Sequence, residues 1–397
     1  MRIGILTFHY SANFGANLQT LATYNCIKAL GHEPVVLDYR DPAKVENIGD
    51  LLTAAQAQQH ADFIETYFQT SPRFTEEEPL ADYIRQNCAA VIVGSDAVFR
   101  LGQGLNPKRI INRLLGRGQT FAGFTHDTKV PPYFLNWERD GQLPVKASLS
   151  PSSRLTDYRF LRPVVKRTIG KSLTDFDIIS TRDKWTAELV RKATKGRKQA
   201  EVRADPLFVL ERHFDLPPLP AERGDLSNKV LITGGFPKAW IADLQAALKD
   251  RGMGLVSLPN PGKQFNHEGI DDNLTLPMSP VEWYQAIASA AGYIGPRIHA
   301  IIAAIAAKTP FICMDPLKDM EKAKSDAYYD LLLRAGGTER FFLEKDLVQQ
   351  SPDTLLRLMF DSAETQASCD AFATEAADEV EDLLKRVIAL AGERGAA

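Results

Sequence analysis

Residues 2–39, RIGILTFHYSANFGANLQTLATYNCIKALGHEPVVLDY, decide the fold. Arg2 to Thr7 is a short apolar run of the kind that forms a buried strand. Leu18, Leu21, Ala22, Cys26 and Ala29 then recur at helical spacing on one face, so a helix is expected from about Leu18 to Leu30, with Gly31 ending it. PVVLDY is the next strand, and the loop HYSANFGAN, His9 to Asn17, leads from the first strand into the helix. Strand, helix and strand in this order make a βαβ unit, which leaves the two strands parallel.

Outward from this unit the alternation continues. PLADYIRQN precedes the strand AAVIVGSD, PVKASLS is a further strand, and DFDIISTRD is followed by a helix to about Ala193 and a strand near PLFVL. The class is therefore α/β, with a parallel sheet covered on both faces. DLPPLPAERGDLSN, Asp215 to Asn228, has three prolines and a glycine without apolar periodicity, and reads as a linker after a first domain of residues 1–214. The pattern then restarts. KVLITGG, GLVSLP, GYIG and PFICMD are strands and PKAWIADLQAALKDRG and RIHAIIAAIAAK are helices, giving a second domain over 229–345. In SPVEWYQAIASA, Ser279 and Glu282 have capping-box spacing with Pro280 in the first turn. Residues 346–397 hold a long helix, about Thr365 to Ala391, expected to pack back on the first domain.

At 397 residues the chain has room for two or three domains at roughly 150 residues each. Its 44% hydrophobic and 24% charged residues are those of a globular protein and exclude a disordered chain, a collagen or a disulfide scaffold. With 47 basic against 50 acidic residues there is no electrostatic footprint for nucleic acid, which is not an expected partner. The four cysteines lack C-x-x-C spacing, the N-terminal apolar run is too short for a signal peptide, and Ile298 to Ala307 is about half the ~20 residues of a membrane span. The expectation is a cytoplasmic protein without an integral membrane segment, with peripheral contact at the inner membrane face left open.

Gly295-Pro296-Arg297-Ile298-His299-Ala300 lies where a strand ends and a helix begins. Ligands of open α/β sheets bind at such strand ends, and a helix N-terminus receives phosphate or carboxylate. Arg297 suits a bidentate grip on an anion and His299 suits proton transfer. Two helical residues at this spacing point about 200° apart, so Arg297 is expected in the turn and His299 in the first helical turn. The bland alternative is a surface ion pair and a structural histidine. Arg182 in IISTRDKW is a second such junction, open to a salt-bridge reading, with Asp183 suited to cap the next helix. The loop His9 to Asn17 offers Asn13 and Asn17 beside Gly15, either as hydrogen-bonders for sugar hydroxyls or as helix caps. Asp96, after Ser95 in VIVGSDAVF, either takes a proton from a hydroxyl or caps a turn. No G-x-G-x-x-G fingerprint and no G-x-S-x-G elbow is present. His32, His60, His126, His213 and His267 are scattered without ligand spacing, so no metal is expected.

The segments RIGILTFHYSANFGANLQTLATYNCIKALGHEPVVLDY, AVIVGSDAVF, PVKASLS, FDIISTRD, ADPLFVL and GYIGPRIHAIIAAIAAKTPFI, in this order up to about residue 314, together resemble the polysaccharide pyruvyl transferase family. The resemblance implies two Rossmann-like domains in a GT-B-type arrangement with an interdomain cleft. It implies transfer of pyruvate from phosphoenolpyruvate, a donor substrate needing no cofactor, to two hydroxyls of a sugar in a surface polysaccharide or its precursor, free or lipid-linked, as a cyclic ketal. The family's R-x-H motif falls on Arg297 and His299 and the arginine of its isvRe/D segment on Arg182, so Arg182, Arg297 and Gly295 are expected at the donor and His299 as catalytic acid. Its N-x-G-a-x-L-Q and G-S-D motifs place Asn13, Gly15, Gln19, Ser95 and Asp96 toward the acceptor, with Asn17 of the same loop. Phe99 stands where the family has tryptophan, and Ser150 where it has glycine. Two other readings are a GT-B glycosyltransferase using a nucleotide sugar and a non-catalytic sugar- or anion-binding protein.

Overall fold

The computed structural model describes residues 1–41, 52–107, 129–139, 141–317, 319–324 and 326–396. Two parallel six-stranded sheets carry the architecture. The first joins β1 (Arg2–Leu6), β2 (Glu33–Val36), β3 (Ala90–Val93), β4 (Val145–Ser148), β5 (Ile178–Thr181) and β6 (Glu201–Val202) in the order β2-β1-β3-β4-β5-β6. The second joins β7 (Lys229–Ile232), β8 (Gly254–Ser257), β9 (Asp272–Asn273), β10 (Gly292–Gly295), β11 (Phe311–Asp315) and β12 (Phe341–Leu343) in the order β12-β11-β10-β7-β8-β9. Strands such as β3, AVIV, are buried along their whole length because helices cover both faces. Among the described residues the helices longer than one turn are α1 (Phe14–Ala29), α2 (Ala54–Tyr67), α3 (Glu77–Asn87), α4 (Pro163–Asp175) and α5 (Lys184–Ala193) in the first unit. In the second unit they are α6 (Lys238–Asp250), α7 (Pro280–Ser289), α8 (Ile298–Ala306), α9 (Ala327–Arg334) and α10 (Pro352–Phe360), and α11 (Ala363–Ala396) follows.

Each sheet has one point where the strand order reverses. In the first, β2 and β3 lie on opposite sides of β1, with Leu6 registered on Val93. In the second, β8 and β10 lie on opposite sides of β7, with Ile232 registered on Ile294. Crevices for ligands open beyond the carboxyl ends of strands at such points.

One apolar cluster runs through both units, taking in Ile3, Leu18, Leu207, Tyr284, Ile302 and Val380. At its centre α8 is apolar on every side, with Ile301 to Ile305 at most 1% exposed, because neighbours surround it. α11 packs against α8 and against the turn at Pro206–Val209, and reaches β3 and β4. The Glu379 carboxylate on α11 accepts from Arg334 of the second unit and from the Ala204 amide of the first.

Three local expectations are corrected. α1 begins at Phe14, because the Asn13 side chain accepts from Gly15 N and caps the helix, so residues 14–17 are its first turn and not loop. PLFVL is a helical turn and not a strand. Asp205 accepts from Leu207 N and Pro206 has no N–H to give a ladder, so β6 forms earlier, at Glu201–Val202. α11 extends past both expected ends. Within 215–228, Arg223 donates to the carbonyls of Thr275 and Pro277 and to Glu282, which lays this stretch along the second unit. The Ser279–Glu282 capping box is present.

Candidate active site

Loops following β1, β3, β4 and β5 of the first unit and β8 and β10 of the second line one cleft of about 350 Å³. From the second unit, Arg297 is the extended N-cap residue of α8, φ −99° and ψ 115°, and His299 lies in the first turn. No side chain caps this helix start. The Arg297 guanidinium offers only donors, so the Asn260 amide turns its oxygen toward it and accepts from Nε at 3.1 Å and Nη2 at 3.2 Å. Gly295 serves packing below the cleft wall: a Cβ there would lie 2.4 Å from the Tyr293 hydroxyl and 2.9 Å from Thr233 O.

His299 crosses to the first unit. A Cβ on Gly15 would stand 2.1 Å from its ring, so α1 meets the histidine edge through bare backbone. The ring Nε2 lies 3.3 Å from Gln19 Nε2 and 3.3 Å from Arg182 Nη1. A guanidinium donates and cannot accept, so Nε2 is the acceptor and the neutral ring carries its proton on Nδ1. Burial lowers the His299 pKa below the ordinary histidine value; Arg182 and Arg154 push the same way, and Asp96 and Asp205 oppose them.

Asp205 organises the floor. Its Oδ2 accepts from Arg182 Nη1 at 3.2 Å, Gln19 Nε2 at 2.5 Å and Ser95 Oγ at 3.3 Å. Arg182 is thus salt-bridged and still faces the cleft, and its buried Nε has no acceptor among the described residues. Gln19 and Ser95 are 2% and 1% exposed, and they support His299 and Asp205 from behind instead of facing an acceptor. Asn17 is withdrawn from the site altogether. Its Nδ2 donates to His9 O at 2.6 Å and its Oδ1 accepts from His60 Nδ1 at 3.0 Å. Asn13, Gly15 and Asp96 do line the cleft, with Asn13 Nδ2 donating to Asp96 Oδ2 at 3.3 Å.

Sequence reading missed Asp205, Asn260, Arg154 and Lys263. Arg154, at φ 45°, and Lys263, 5.0 Å over the Phe265 ring, line the cleft and make no ion pair among the described residues. Both follow strand ends, β4 and β8, the placement that singled out Arg182 and Arg297.

The sequence matches the family described as polysaccharide pyruvyl transferase over residues 13–317. The chain belongs to that family. Its members are transferases acting on polysaccharide by that description. Among curated proteins none matches significantly. The fold is also that of solved structures of low sequence identity. UDP-GlcNAc 2-epimerase from Neisseria meningitidis, bound to UDP-GlcNAc, aligns with TM-score 0.55 at 9% identity over 98% of this chain and 99% of its own. UGT89C1 of Arabidopsis thaliana, complexed with UDP-L-rhamnose, aligns with TM-score 0.54 at 9% identity over 99% and 98%. The glycosyltransferase SnogD from Streptomyces nogalater gives 0.50 at 13% identity over 98% and 99%. The arrangement is GT-B, two Rossmann-like units about a cleft.

The two departures from the family pattern lie off the cleft. Phe99 is buried and stacks on Phe134 with centroids 4.6 Å apart. Ser150 keeps the left-handed backbone that favours glycine, φ 51°, and its hydroxyl donates to Ala204 O at 2.6 Å. Among the described residues no helix is long and apolar enough to cross a membrane, and no group of three or more His, Cys, Asp or Glu side chains could hold a metal ion; His126 lies outside them.

Proposed function

We propose that this transferase moves pyruvate from phosphoenolpyruvate to two hydroxyls of one sugar unit of a polysaccharide or its precursor, forming a cyclic ketal. The observation that carries the reading is the meeting of Arg182 from one unit with Arg297 and His299 from the other in one cleft. Phosphoenolpyruvate has a carboxylate and a phosphate on one small carbon frame, and guanidinium groups and helix N–H donors suit both anionic ends. Arg297 keeps Nη1 available beyond the Asn260 contact, Arg182 keeps Nε, and Arg154 and Lys263 add positive charge. A cleft of about 350 Å³ is near the lower end of ligand pockets, which favours this donor over a nucleotide sugar.

His299 is the acid in this reading. Donor binding adds negative charge beside a ring that burial keeps neutral, so the complex takes up a proton at Nε2, and the imidazolium protonates the donor's methylene carbon. The carbon that bears the phosphate then becomes electrophilic and receives the first sugar hydroxyl, and the second hydroxyl later displaces phosphate. Gln19 and Arg182 hold the neutral ring at Nε2 before the proton is taken up, and Asp205 holds both of them.

A thermal-shift panel tests this, since a ligand that binds the native state raises the melting temperature. Phosphoenolpyruvate is expected to do so, with UDP, GDP and CMP without effect. By calorimetry Arg297→Ala should weaken donor affinity by at least about tenfold, while His299→Gln should keep most binding and lose turnover by roughly 100-fold. Stabilisation by a nucleoside diphosphate and none by phosphoenolpyruvate would replace this reading with nucleotide-sugar transfer.

A further inference from the structure

We infer that Asp96 is the base that takes the proton of the attacking sugar hydroxyl, working opposite His299; this rests on the pyruvyl-transfer reading above. Asp96 follows β3 in the first unit, and His299 opens α8 in the second. Both line the same cleft, and of all charges acting on the His299 ring the Asp96 carboxylate has the largest effect. The acid and the base thus come from different units and line the same cleft.

The backbone of Asp96 sets it apart. Its φ is 70° and its ψ −169°, a region that almost only glycine occupies and that strains an ordinary residue. The strain is held in place from both sides, by Ser152 N donating to Asp96 O at 2.7 Å and by the bridge to Pro151. Capping does not account for it. The turn that Asp96 caps, Ala97–Phe99, is a single 3-10 turn, and an asparagine oxygen would accept from Ala97 N as well as the carboxylate does. What asparagine could not do is accept a proton. The carboxylate is anchored by Ala97 N on Oδ1, at 2.7 Å, and by the Asn13 amide on Oδ2, at 3.3 Å. Both are neutral donors, and among the described residues no cation pairs with it. A carboxylate fixed in this way is oriented without being tied into an ion pair, although the Arg182 cation is near enough to act on it.

The proton balance of the reaction calls for such a group. Phosphoenolpyruvate and two hydroxyls become a ketal and hydrogen phosphate, so of the two hydroxyl protons one ends on the former methylene carbon and one on phosphate. In the first step the imidazolium of His299 gives its proton to the methylene carbon, the first hydroxyl oxygen bonds to the adjacent carbon, and its proton passes to Asp96. In the second step the other hydroxyl oxygen bonds to that carbon as the carbon–oxygen bond to phosphate breaks. Its proton passes to neutral His299, and Asp96 returns its own to the departing phosphate. Both residues finish in the state in which they began, and no external acid or base is consumed.

Asp96→Asn and Asp96→Gly test the assignment in the full-length protein, with ketal formation, phosphoenolpyruvate calorimetry and melting temperature as readouts. Both variants should lose turnover by roughly 100-fold or more while donor affinity stays within about threefold. Asparagine keeps the Ala97 contact but turns an N–H toward the Asn13 amide, whereas glycine removes the strain together with both contacts and should melt no lower than the parent, so the same loss in both variants assigns it to the missing base and not to a local rearrangement. Turnover within about threefold of wild type in Asp96→Asn overturns the assignment, as does a loss of donor affinity equal to the loss of turnover. Wild-type protein that neither binds phosphoenolpyruvate nor forms ketal overturns the pyruvyl-transfer reading and the base with it; active wild type with an active Asp96→Asn variant overturns the base alone.

Discussion

Glycine at position 15 is what allows His299 to reach the first unit. A methyl group there would fall 2.1–2.3 Å from three atoms of the histidine, far inside van der Waals contact, and the obstacle is a ring already fixed by Gln19 and Arg182. Gly15→Ala should therefore keep its secondary structure by circular dichroism and lose turnover by roughly 100-fold, the cost of displacing a catalytic group by about 1 Å. Turnover within a few-fold of wild type would show that the ring's position is not critical. Arg182, Arg297 and His299 could be named as candidates because strand ends and helix starts are where an α/β sheet binds ligands, but that placement left salt-bridge and structural readings open, and only the family resemblance gave them roles. Asp205 was not, since its value depends on Gln19, Ser95 and Arg182, and Gln19 lies 186 positions away along the chain. Asn17 misled for the opposite reason: once α1 is seen to begin at Phe14, helical geometry turns that amide toward α2 and away from the cleft.

Between α1 and α2 the burial of His60, which meets that same amide, sets a pH dependence. His60 on α2 donates from Nδ1 to Asn17, its Nε2 is buried with no partner among the described residues, and burial lowers its pKa from 6.5 to about 4. The folded value lies below the unfolded one, so as pH falls the unfolded chain binds the proton first. The stability present above pH 6.5 is then lost between 6.5 and about 4, by up to roughly 3 kcal/mol. Urea unfolding from pH 7 to pH 4 should show this slope, and His60→Gln, which can still donate to Asn17, should flatten it. An unchanged slope in the variant would assign the effect to other groups. Element by element, the βαβ repeats were legible because buried strands and one-sided helices have different periods. PLFVL was not, because five apolar or ring residues in a row have no period, and the Asp205 cap decides between strand and turn.

Across the whole molecule, the two units share more than the cleft. The apolar cluster that holds Ile3 and Leu18 of the first unit also holds Tyr284 and Ile302 of the second, and α11 lies along it with Val380, Leu384 and Val387 fully buried. A GT-B pair joined only by a linker could unfold in two steps, but removing α11 contacts here uncovers both sheets' neighbours together. Leu384→Ala, at a position 0% exposed, should cost about 2–5 kcal/mol. Trp137 and Trp185 report on the first unit and Trp240 on the second, while the Trp283 ring lies 5.6 Å from Phe14 of the first, so proteins keeping either Trp137 and Trp185 or Trp240 alone, with the other tryptophans replaced by phenylalanine, follow each unit separately. Both sets of reporters should give one shared denaturation midpoint, and Leu384→Ala should lower both midpoints equally. On the proposed function such coupling serves catalysis, since Arg182 and Asp96 stay aligned with Arg297 and His299 only while the units stay in register. If the substitution moved the first unit's midpoint and left the second's in place, the units would be independent bodies, and the alignment of the site would have to come from the bound donor instead.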